Sequence, residues 1–494
     1  MTSEKQIPAL ILIIGSGVFG LSTALALCER DEYKESAIVV IDRMPFPAPD
    51  GASIDTSRIV RADYADAAYA CLGVEAQKLW RGEWGAQNRY HETGLCLSGD
   101  VGAGQYVTKS YENVCKLESA DTVKAFDCNA DLAEATGTQG ACGSMGYINK
   151  NSGWADAEAT MRFLRAKVVA KNRVRFLSVG VERLLFSEGK GEGKRCVGVD
   201  LQDGNFLSGD LIILAAGAWS PSLIDLRGRV TATGQVVAYI EVTPEEAAIL
   251  AKLPVQLNVS NGMFFIPPPP PDKLPRPAGQ HSKGKFYLKV ARHAYGYLNP
   301  TTITNPENPS EKITISLPQT NPDHPLGAQP IPQQALSDMR DYLNTIIPPT
   351  SPLAAIPKRP WKHSRLCHYA DTPTSDWLLS YHPSYSKSLF IATGGSGHGF
   401  KFVPVIGEKI VDCLLEKCEE RYTDKWVWRE KVDGEKWAGD GSRSGPQGLI
   451  LSEEMKKGRD RVSHKVWTAN AFAASFANTQ SHRRNAEDVG LAKE

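Results

Sequence analysis

Three glycines near the start of the chain have the spacing of a dinucleotide cradle. The run is Gly15-Ser16-Gly17-Val18-Phe19-Gly20. Gly15 permits a tight turn, Gly17 lets the backbone approach a pyrophosphate, and Gly20 lets a following helix pack closely. The first turn of that helix, through Val18 and Phe19, offers free N–H groups and a partial positive charge to phosphates. Asp42 stands 22 residues after Gly20 and is followed by Arg43. A carboxylate there accepts hydrogen bonds from an adenosine ribose diol. The spacing by itself does not separate FAD from NAD.

The elements that must hold these residues are legible around them. Residues 9–14 (ALILII) are continuous and β-branched, as a fully buried parallel strand requires. Leu21 to Cys28 suits a packed helix, and Ala37 to Ile41 is a second buried strand ending at Asp42. Ala9 to Cys28 is uncharged for about the length of a membrane span. Only Lys5 supplies positive charge before it, and the glycine pattern gives the run a mechanical meaning, so no membrane partner is expected. Further strands are expected at 173–179, 181–186, 196–201 and 211–216, with a hairpin turn at Asp203-Gly204. Val181 is expected near an adenine. Leu214-Ala-Ala-Gly217-Ala-Trp219-Ser220 carries a strand into a glycine turn. A second cluster, Gly394-Gly-Ser-Gly397-His-Gly-Phe400-Lys401-Phe402, follows a buried strand (389–392) and precedes a helical stretch (405–415). Pro267 to Pro271 and the rest of 263–278 read as an extended surface loop. Residues 300–328 read as a Pro/Asn-rich loop. Beyond Lys425 the chain is polar, with Trp426, Trp428 and Trp437 as docking points.

Composition sets the outer limits. A chain of 494 residues allows roughly three domains of ~150 residues. Its 42% hydrophobic and 23% charged content is ordinary for a globular protein. Lys+Arg (56) equals Asp+Glu (56), so there is no basic excess for nucleic acid. Ten cysteines are too sparse for a disulfide scaffold, which points to a reducing, cytoplasmic compartment. No metal-ligand cluster is expected, and no internal repeat is present.

Seven segments in one order resemble the monomeric sarcosine oxidase and amadoriase family, which includes fungal saccharopine and fructosyl-amino-acid oxidases. They are GSGVFG (15–20), SIDTSRIVR (53–61), NSGWADAEA (151–159), LAAGAWSPSL (214–223), YLKVARH (287–293), SRLCHYADTP (364–373) and GGSGHGFKF (394–402). The resemblance implies an α/β fold, with a discontinuous Rossmann-like FAD-binding domain (1–96, 149–228, 367–425). It also implies an α+β substrate domain (97–148, 229–366) whose mostly antiparallel sheet roofs the flavin. Residues 426–494 are left as a polar C-terminal extension.

The same resemblance implies roles. FAD is held by the first glycine run, Asp42, Arg43, Ser53, Ser57, Arg58, Val181, Gly217, Trp219, Gly397, Phe400 and Lys401. Cys367 is implied as the thioether link to the flavin 8α-methyl, which requires a thiolate, with Arg365 and His363 near it in sequence to favour ionisation. Lys289 corresponds to a lysine that aids transfer of electrons to oxygen; Lys283 and Lys285 alternate with it along the chain. Arg61 and Lys401 correspond to cations that hold a substrate carboxylate. His293 corresponds to an active-site histidine, Tyr64 and Tyr369 are pocket walls, and His398 fixes the glycine turn.

The implied reaction is oxidation of a C–N bond in a secondary amine or N-methyl amino-acid-like substrate, giving an imine and hydrogen peroxide. A tailoring step with oxidative ring closure fits this reading. Saccharopine, pipecolate or fructosyl-amino-acid oxidation and an FAD dehydrogenase with another acceptor are the alternatives. One departure bears on the choice: the family's amadoriases carry an acid where this chain has Ile266 after Met263-Phe264-Phe265, which weakens sugar recognition. The chain ends Leu-Ala-Lys-Glu without a Ser-Lys-Leu peroxisomal address. A monomer is expected, with a small amine and oxygen as partners.

Overall fold

Ile11 and Ile13 face one way from the strand Leu10–Ile14, while Leu12 and Ile14 face the other, and all four are buried. That two-sided burial forces cover on both faces, and a parallel sheet provides it. The computed structural model describes residues 7–100, 104–119, 121–189, 193–271, 284–319, 331–431 and 437–457. Leu10–Ile14 lies between Ala37–Asp42 and Leu211–Leu214 with parallel register on both sides. Val174–Ser178 and Leu389–Thr393 extend the sheet outward, and Leu378–Tyr381 closes one edge antiparallel. Helices Val18–Glu29, Ala157–Ala170 and Val403–Leu414 cover the Ile11/Ile13 face. The antiparallel strands Val181–Gly189, Gly193–Leu201 and Phe206–Ser208 cover the Leu12/Ile14 face. The apolar run at the N-terminus is therefore core. Among the described residues, no helix is long and apolar enough to cross a membrane.

A second, mostly antiparallel sheet stands beside this unit. Its long strand Thr231–Val242 pairs with Phe286–Arg292 on one side and with His363–Asp371 on the other. Met263–Ile266, Val255–Asn258, Leu95–Gly99 and Met145–Asn149 continue it. Helix Gln333–Ile346 buries Leu343 and Ile346 against the sheet's outer face. The architecture is thus the expected α/β unit with an antiparallel roof.

Several sequence expectations change. The residue 366/367 boundary falls inside the strand His363–Asp371, so Cys367 rides on the roof sheet. Residues 300–316 are a hairpin, Pro300–Asn305 with Asn308–Ser316, in which Ile303, Ile313 and Ile315 form a small apolar cluster. Pro267 to Pro269 are buried, and only Pro270 and Pro271 of the five are exposed. Of the C-terminal extension, residues 426–431 and 437–457 pack against the rest of the protein. Trp426 stacks between Tyr422 and Trp377, and Trp428 packs edge-on against His382. Leu449–Ile450 adds to the roof sheet beside Tyr297–Leu298, and Ser444 bridges to Ala294. Lys283, the loop residues 272–278 and the Leu-Ala-Lys-Glu terminus lie outside the described residues.

One buried ion pair pins that returning segment. The Arg443 guanidinium donates from Nη1 and Nη2 to both Asp371 oxygens at 2.7 and 2.6 Å, and from Nη2 to the Ser396 carbonyl at 2.7 Å. Arg443→Met would leave the Asp371 carboxylate buried with the Thr233 hydroxyl. An uncompensated buried charge costs on the order of 3–5 kcal/mol. The expected outcome is a lower urea midpoint at an unchanged slope; an unshifted midpoint would contradict this account.

Candidate active site

An elongated cavity of about 670 Å³ runs along the carboxyl ends of the parallel strands. Gly15, Gly17, Val18, Phe19, Asp42, Arg43, Ser53, Arg58, Val181, Gly217, Trp219, Tyr369, Gly397 and Phe400 all line it. Gly15 holds φ +107°, and a Cβ there would meet the Ala215 carbonyl at 2.5 Å. Gly20 sits beneath the cavity rather than on it. A Cβ at Gly20 would lie 1.9 Å from the Gly15 carbonyl, so its role is the close packing of the helix. The helix Val18–Glu29 starts at Gly17 with no side-chain cap and no acid in its first turn. Its leading amides are left for an anion, with Val18 N–H turned to Ser53 Oγ at 3.2 Å. Asp42 Oδ2 accepts from both Ser16 N–H and Ser16 Oγ at 2.7 Å, which fixes the carboxylate at the cavity wall. Arg43 lies over the Trp219 ring at 4.7 Å and pairs with Asp50. Pro318 and Gln319, just past the hairpin, also reach this cavity. Glycine trough, helix terminus and fixed carboxylate together fit an adenine dinucleotide.

Beside the cavity a fully buried carboxylate gathers cations. Asp55 accepts from Lys289 Nζ at 2.7 Å, from Thr56 N–H at 2.7 Å, and from Arg58 Nη1 and the Tyr239 hydroxyl. Burial alone would raise the Asp55 carboxyl, but Arg58, Lys289 and Arg365 together hold it well below the carboxylate range. Burial lowers the Lys289 ammonium to about 8, against the pull of Asp55. Lys289 is 1% exposed, so it is no ordinary strand lysine. Lys285, just before the strand, is the exposed one, paired with Glu241. Lys289 Nζ also donates to the Ser57 carbonyl at 2.6 Å. Ser57 touches neither cavity; its Oγ is buried without a partner.

Cys367 is buried on the roof strand, and Arg58 Nη2 approaches its Sγ at 3.5 Å. The cation at the thiol is therefore Arg58, not the sequence neighbours. Arg365 Nη1 is turned to the Ile54 carbonyl. His363 lies four residues along the strand, at ~3.3 Å per residue.

A smaller cavity of about 80 Å³ joins the first at Arg58, Tyr369, Gly397 and Phe400. Lys289, Cys367, His293, Arg61 and Lys401 line it, together with Phe264, Ile266, Val237 and Ala291. Arg61 donates from Nη2 to the Tyr106 hydroxyl at 3.2 Å, while its buried Nη1 has no partner. Lys401 Nζ donates to Tyr64 Oη at 2.9 Å and to the His398 carbonyl at 3.0 Å, which leaves one ammonium hydrogen over. Burial and Arg61 hold the Lys401 ammonium well below its ordinary value. Tyr64 stands one layer behind the cavity, under the Arg61 guanidinium at 4.4 Å, so it supports the cations rather than forming the wall. His398 Nε2 donates to the Ser375 carbonyl at 2.9 Å and Nδ1 accepts from Tyr64 at 3.2 Å, which locks the glycine turn. Gln235 also lines this cavity, with its Oε1 unpartnered. Asp55, Tyr239, Gln235, Tyr106 and the segment around Asp440 escaped the sequence reading; only Asp55 stood inside a motif.

The model for the family described as FAD dependent oxidoreductase matches residues 11–413. The chain is 33% identical over 466 residues to amino acid oxidase imqH of Aspergillus flavus, covering 83% of this chain and 93% of that protein. It is 27% identical to L-saccharopine oxidase of Schizosaccharomyces pombe, covering 86% and 95% of the two chains. The solved structure of fructosyl amine: oxygen oxidoreductase (Amadoriase I) from Aspergillus fumigatus superposes with a TM-score of 0.71 at 28% identity, over 91% of this chain and 97% of that one. A glycine trough ending at a fixed carboxylate, on a chain matched over 11–413, makes this protein a member of the FAD dependent oxidoreductase family.

Proposed function

We propose that the protein is an FAD-dependent oxidase of a secondary amine or N-methyl amino-acid-like substrate. The observation that carries this is the unpartnered Arg61 Nη1, buried beside Lys401 at one end of a small cavity whose other walls are largely apolar. A planar guanidinium with two forward donors and a second cation is a site for a carboxylate. Phe264, Ile266, Val237 and Ala291 then receive an apolar or aromatic group, and the orphan Gln235 carbonyl accepts an amine N–H. Ile266 at this wall offers no hydrogen bond to a sugar hydroxyl.

When bound, FAD supplies the acceptor for the electrons lifted from the C–H beside nitrogen and returns them to oxygen as hydrogen peroxide, leaving an imine. The chain's own residues align, desolvate and balance charge. Arg58, shared between Asp55 and Cys367, sets a guanidinium beside the sulfur that a covalent flavin link would use. Lys289 provides a fixed ammonium where negative charge develops on oxygen. The partners in this reading are one small amine and oxygen, and the protein acts as a monomer.

The test is an amine panel with a peroxide readout: N-methyl aromatic amino acids, sarcosine, pipecolate, saccharopine and fructosyl-valine. N-methyl aromatic amino acids are expected to give the highest kcat/KM and fructosyl-valine little. Peroxide from fructosyl-valine alone would overturn the substrate class. Acid-precipitated enzyme should stay yellow, and a Cys367→Ser pellet should be colourless; a colourless wild-type pellet would remove the covalent link. Lys289→Met is expected to slow reoxidation by oxygen on the order of a hundredfold, as loss of one preorganised charge does, with a much smaller effect on flavin reduction. Equal losses in the two half-reactions would argue against its role.

Lys401 gives a pH signature. A bound carboxylate restores the ammonium toward its ordinary 10.5, so binding takes up a proton between the depressed and restored values. Affinity for benzoate is expected to fall as pH rises across that interval and to level off above the restored value. Calorimetry in buffers of different ionisation enthalpy should show proton uptake. Lys401→Met should abolish the uptake and weaken benzoate by about 10–100-fold; proton uptake that survives the substitution would refute the assignment.

A further inference from the structure

The returning C-terminal segment puts a hydrogen-bonded relay against the second cavity. Asp440 Oδ1 accepts from the Ser442 backbone N–H at 3.0 Å and from Ser442 Oγ at 2.6 Å. Ser442 Oγ lies 3.2 Å from His293 Nε2. A carboxylate only accepts, so the serine hydroxyl hydrogen is committed to Asp440. The serine oxygen can then only accept from His293, which places the imidazole proton on Nε2 and leaves Nδ1 without one. The segment is held there by the Arg443–Asp371 pair, and the backbone of His293 is held by its N–H to the Gly262 carbonyl at 2.7 Å.

We propose that Asp440 and Ser442 are positioning residues that set the tautomer of His293, so that its Nδ1 takes the ammonium proton of an incoming amine substrate. The inference rests on the amine oxidase reading and assigns the deprotonation step within it. One proton moves from the substrate nitrogen to Nδ1, no electrons move, and the products are a neutral amine and an imidazolium. The imidazolium keeps its Nε2–H bond to Ser442 and faces the Asp440 carboxylate. The neutral amine has the lone pair that its oxidation requires.

Arg443 and Asp440 face His293 from the segment itself, Arg61 from the strand end after Arg58, Lys401 from the glycine cluster, and Tyr369 at 5.9 Å from the roof strand. Burial, Arg443, Arg61 and Lys401 keep the imidazole neutral before the substrate arrives and oppose its protonation. Asp440 is the group among these that pulls the other way, and it stands on the far side of Ser442 from the cavity. Arg292, the strand neighbour, is committed to the Asn261 carbonyl and Asp338.

The test uses the FAD-loaded enzyme with N-methylphenylalanine. Flavin bleaching is followed anaerobically from pH 6 to 10 in wild type, Asp440→Asn, Ser442→Ala and Ser442→Thr. Asn keeps the volume and an acceptor for Ser442 but removes the charge; Thr keeps the hydroxyl. Asp440→Asn and Ser442→Ala are expected to move the acid limb of the bleaching rate upward by about one pH unit. That is about tenfold slower below the limb, with the rate recovered at high pH. Ser442→Thr should keep the wild-type limb, and benzoate affinity should stay within about twofold in both Ser442 variants, which leave the charge of Asp440 beside Lys401 in place. An unmoved limb in both deletions, or a loss of rate equal at every pH, overturns the relay. Loss of benzoate binding in Ser442→Ala also overturns it, because the segment would then be a wall and nothing more. Should no amine in the panel bleach the wild-type flavin, it is the oxidase reading that fails. The relay is then decided by nitrogen NMR of the His293 imidazole: protonated Nε2 in wild type, changed in Ser442→Ala, supports it, and the reverse tautomer in wild type refutes it.

Discussion

A carboxylate taken out of water must be paired or it will not stay charged. Asp55 is 2% exposed and satisfies that demand by drawing Lys289, Arg58 and Tyr239 onto its two oxygens. These partners come from separate parts of the chain: the strand after the first glycine turns, and two strands of the roof sheet. One buried charge therefore fixes how the nucleotide unit and the roof meet. It also allows Lys289 to remain an ammonium in a place where burial alone would strip its proton. Arg58 is shared between this cluster and the Cys367 sulfur, so the groups that bear on the thiol and on Lys289 are held by the same anion.

The small cavity has the opposite balance. Arg61 and Lys401 face it with donors to spare, backed by Tyr106 and Tyr64, whose oxygens accept but do not neutralise. The phenol of Tyr64 passes its own hydrogen to His398, and His398 passes its Nε2 hydrogen to Ser375. Every hydrogen in that chain points away from Lys401. The Lys401 amino group is thereby oriented with no carboxylate bonded to it, in a framework that is already built.

How much of this was readable in the sequence follows from the range of each interaction. The strand, glycine turn and helix at 10–29 and the strand at 37–42 depend on local period and local backbone freedom, and both are written in consecutive residues. The hairpin at 300–316 was obscured because its alternating isoleucines are outnumbered by Pro, Asn and Thr, which ordinarily mark loops. Asp55 and Tyr239 are partners across 184 positions, and no periodicity relates them. The same holds for Ser442 and His293, 149 positions apart. A polar Gly/Ser/Asp tail gives no sign that it returns to a sheet edge, since the reason for its return lies in the buried Asp371 that needs Arg443. The Cys367 environment was half legible: the cysteine was visible by resemblance, but sequence proximity pointed to Arg365, while the guanidinium at the sulfur arrives from position 58.

Ile266 and Asp440 are best understood together. On the roof strand the chain carries Ile266, paired in register with Lys289, at the place where the family resemblance led to the expectation of an acid. Removing a carboxylate from that wall leaves Arg61, Lys401 and Lys289 with less opposing charge, and a cavity of uncompensated cations binds a protonated amine poorly. The C-terminal segment returns a carboxylate to the neighbourhood from the other side, one serine removed from the histidine instead of directly at the wall. An acid on the wall contacts the substrate's own polar groups, whereas an acid behind a histidine acts on where a proton rests. The charge is similar, but it bears on a buried imidazole instead of on the cavity itself, and the wall keeps an apolar side chain.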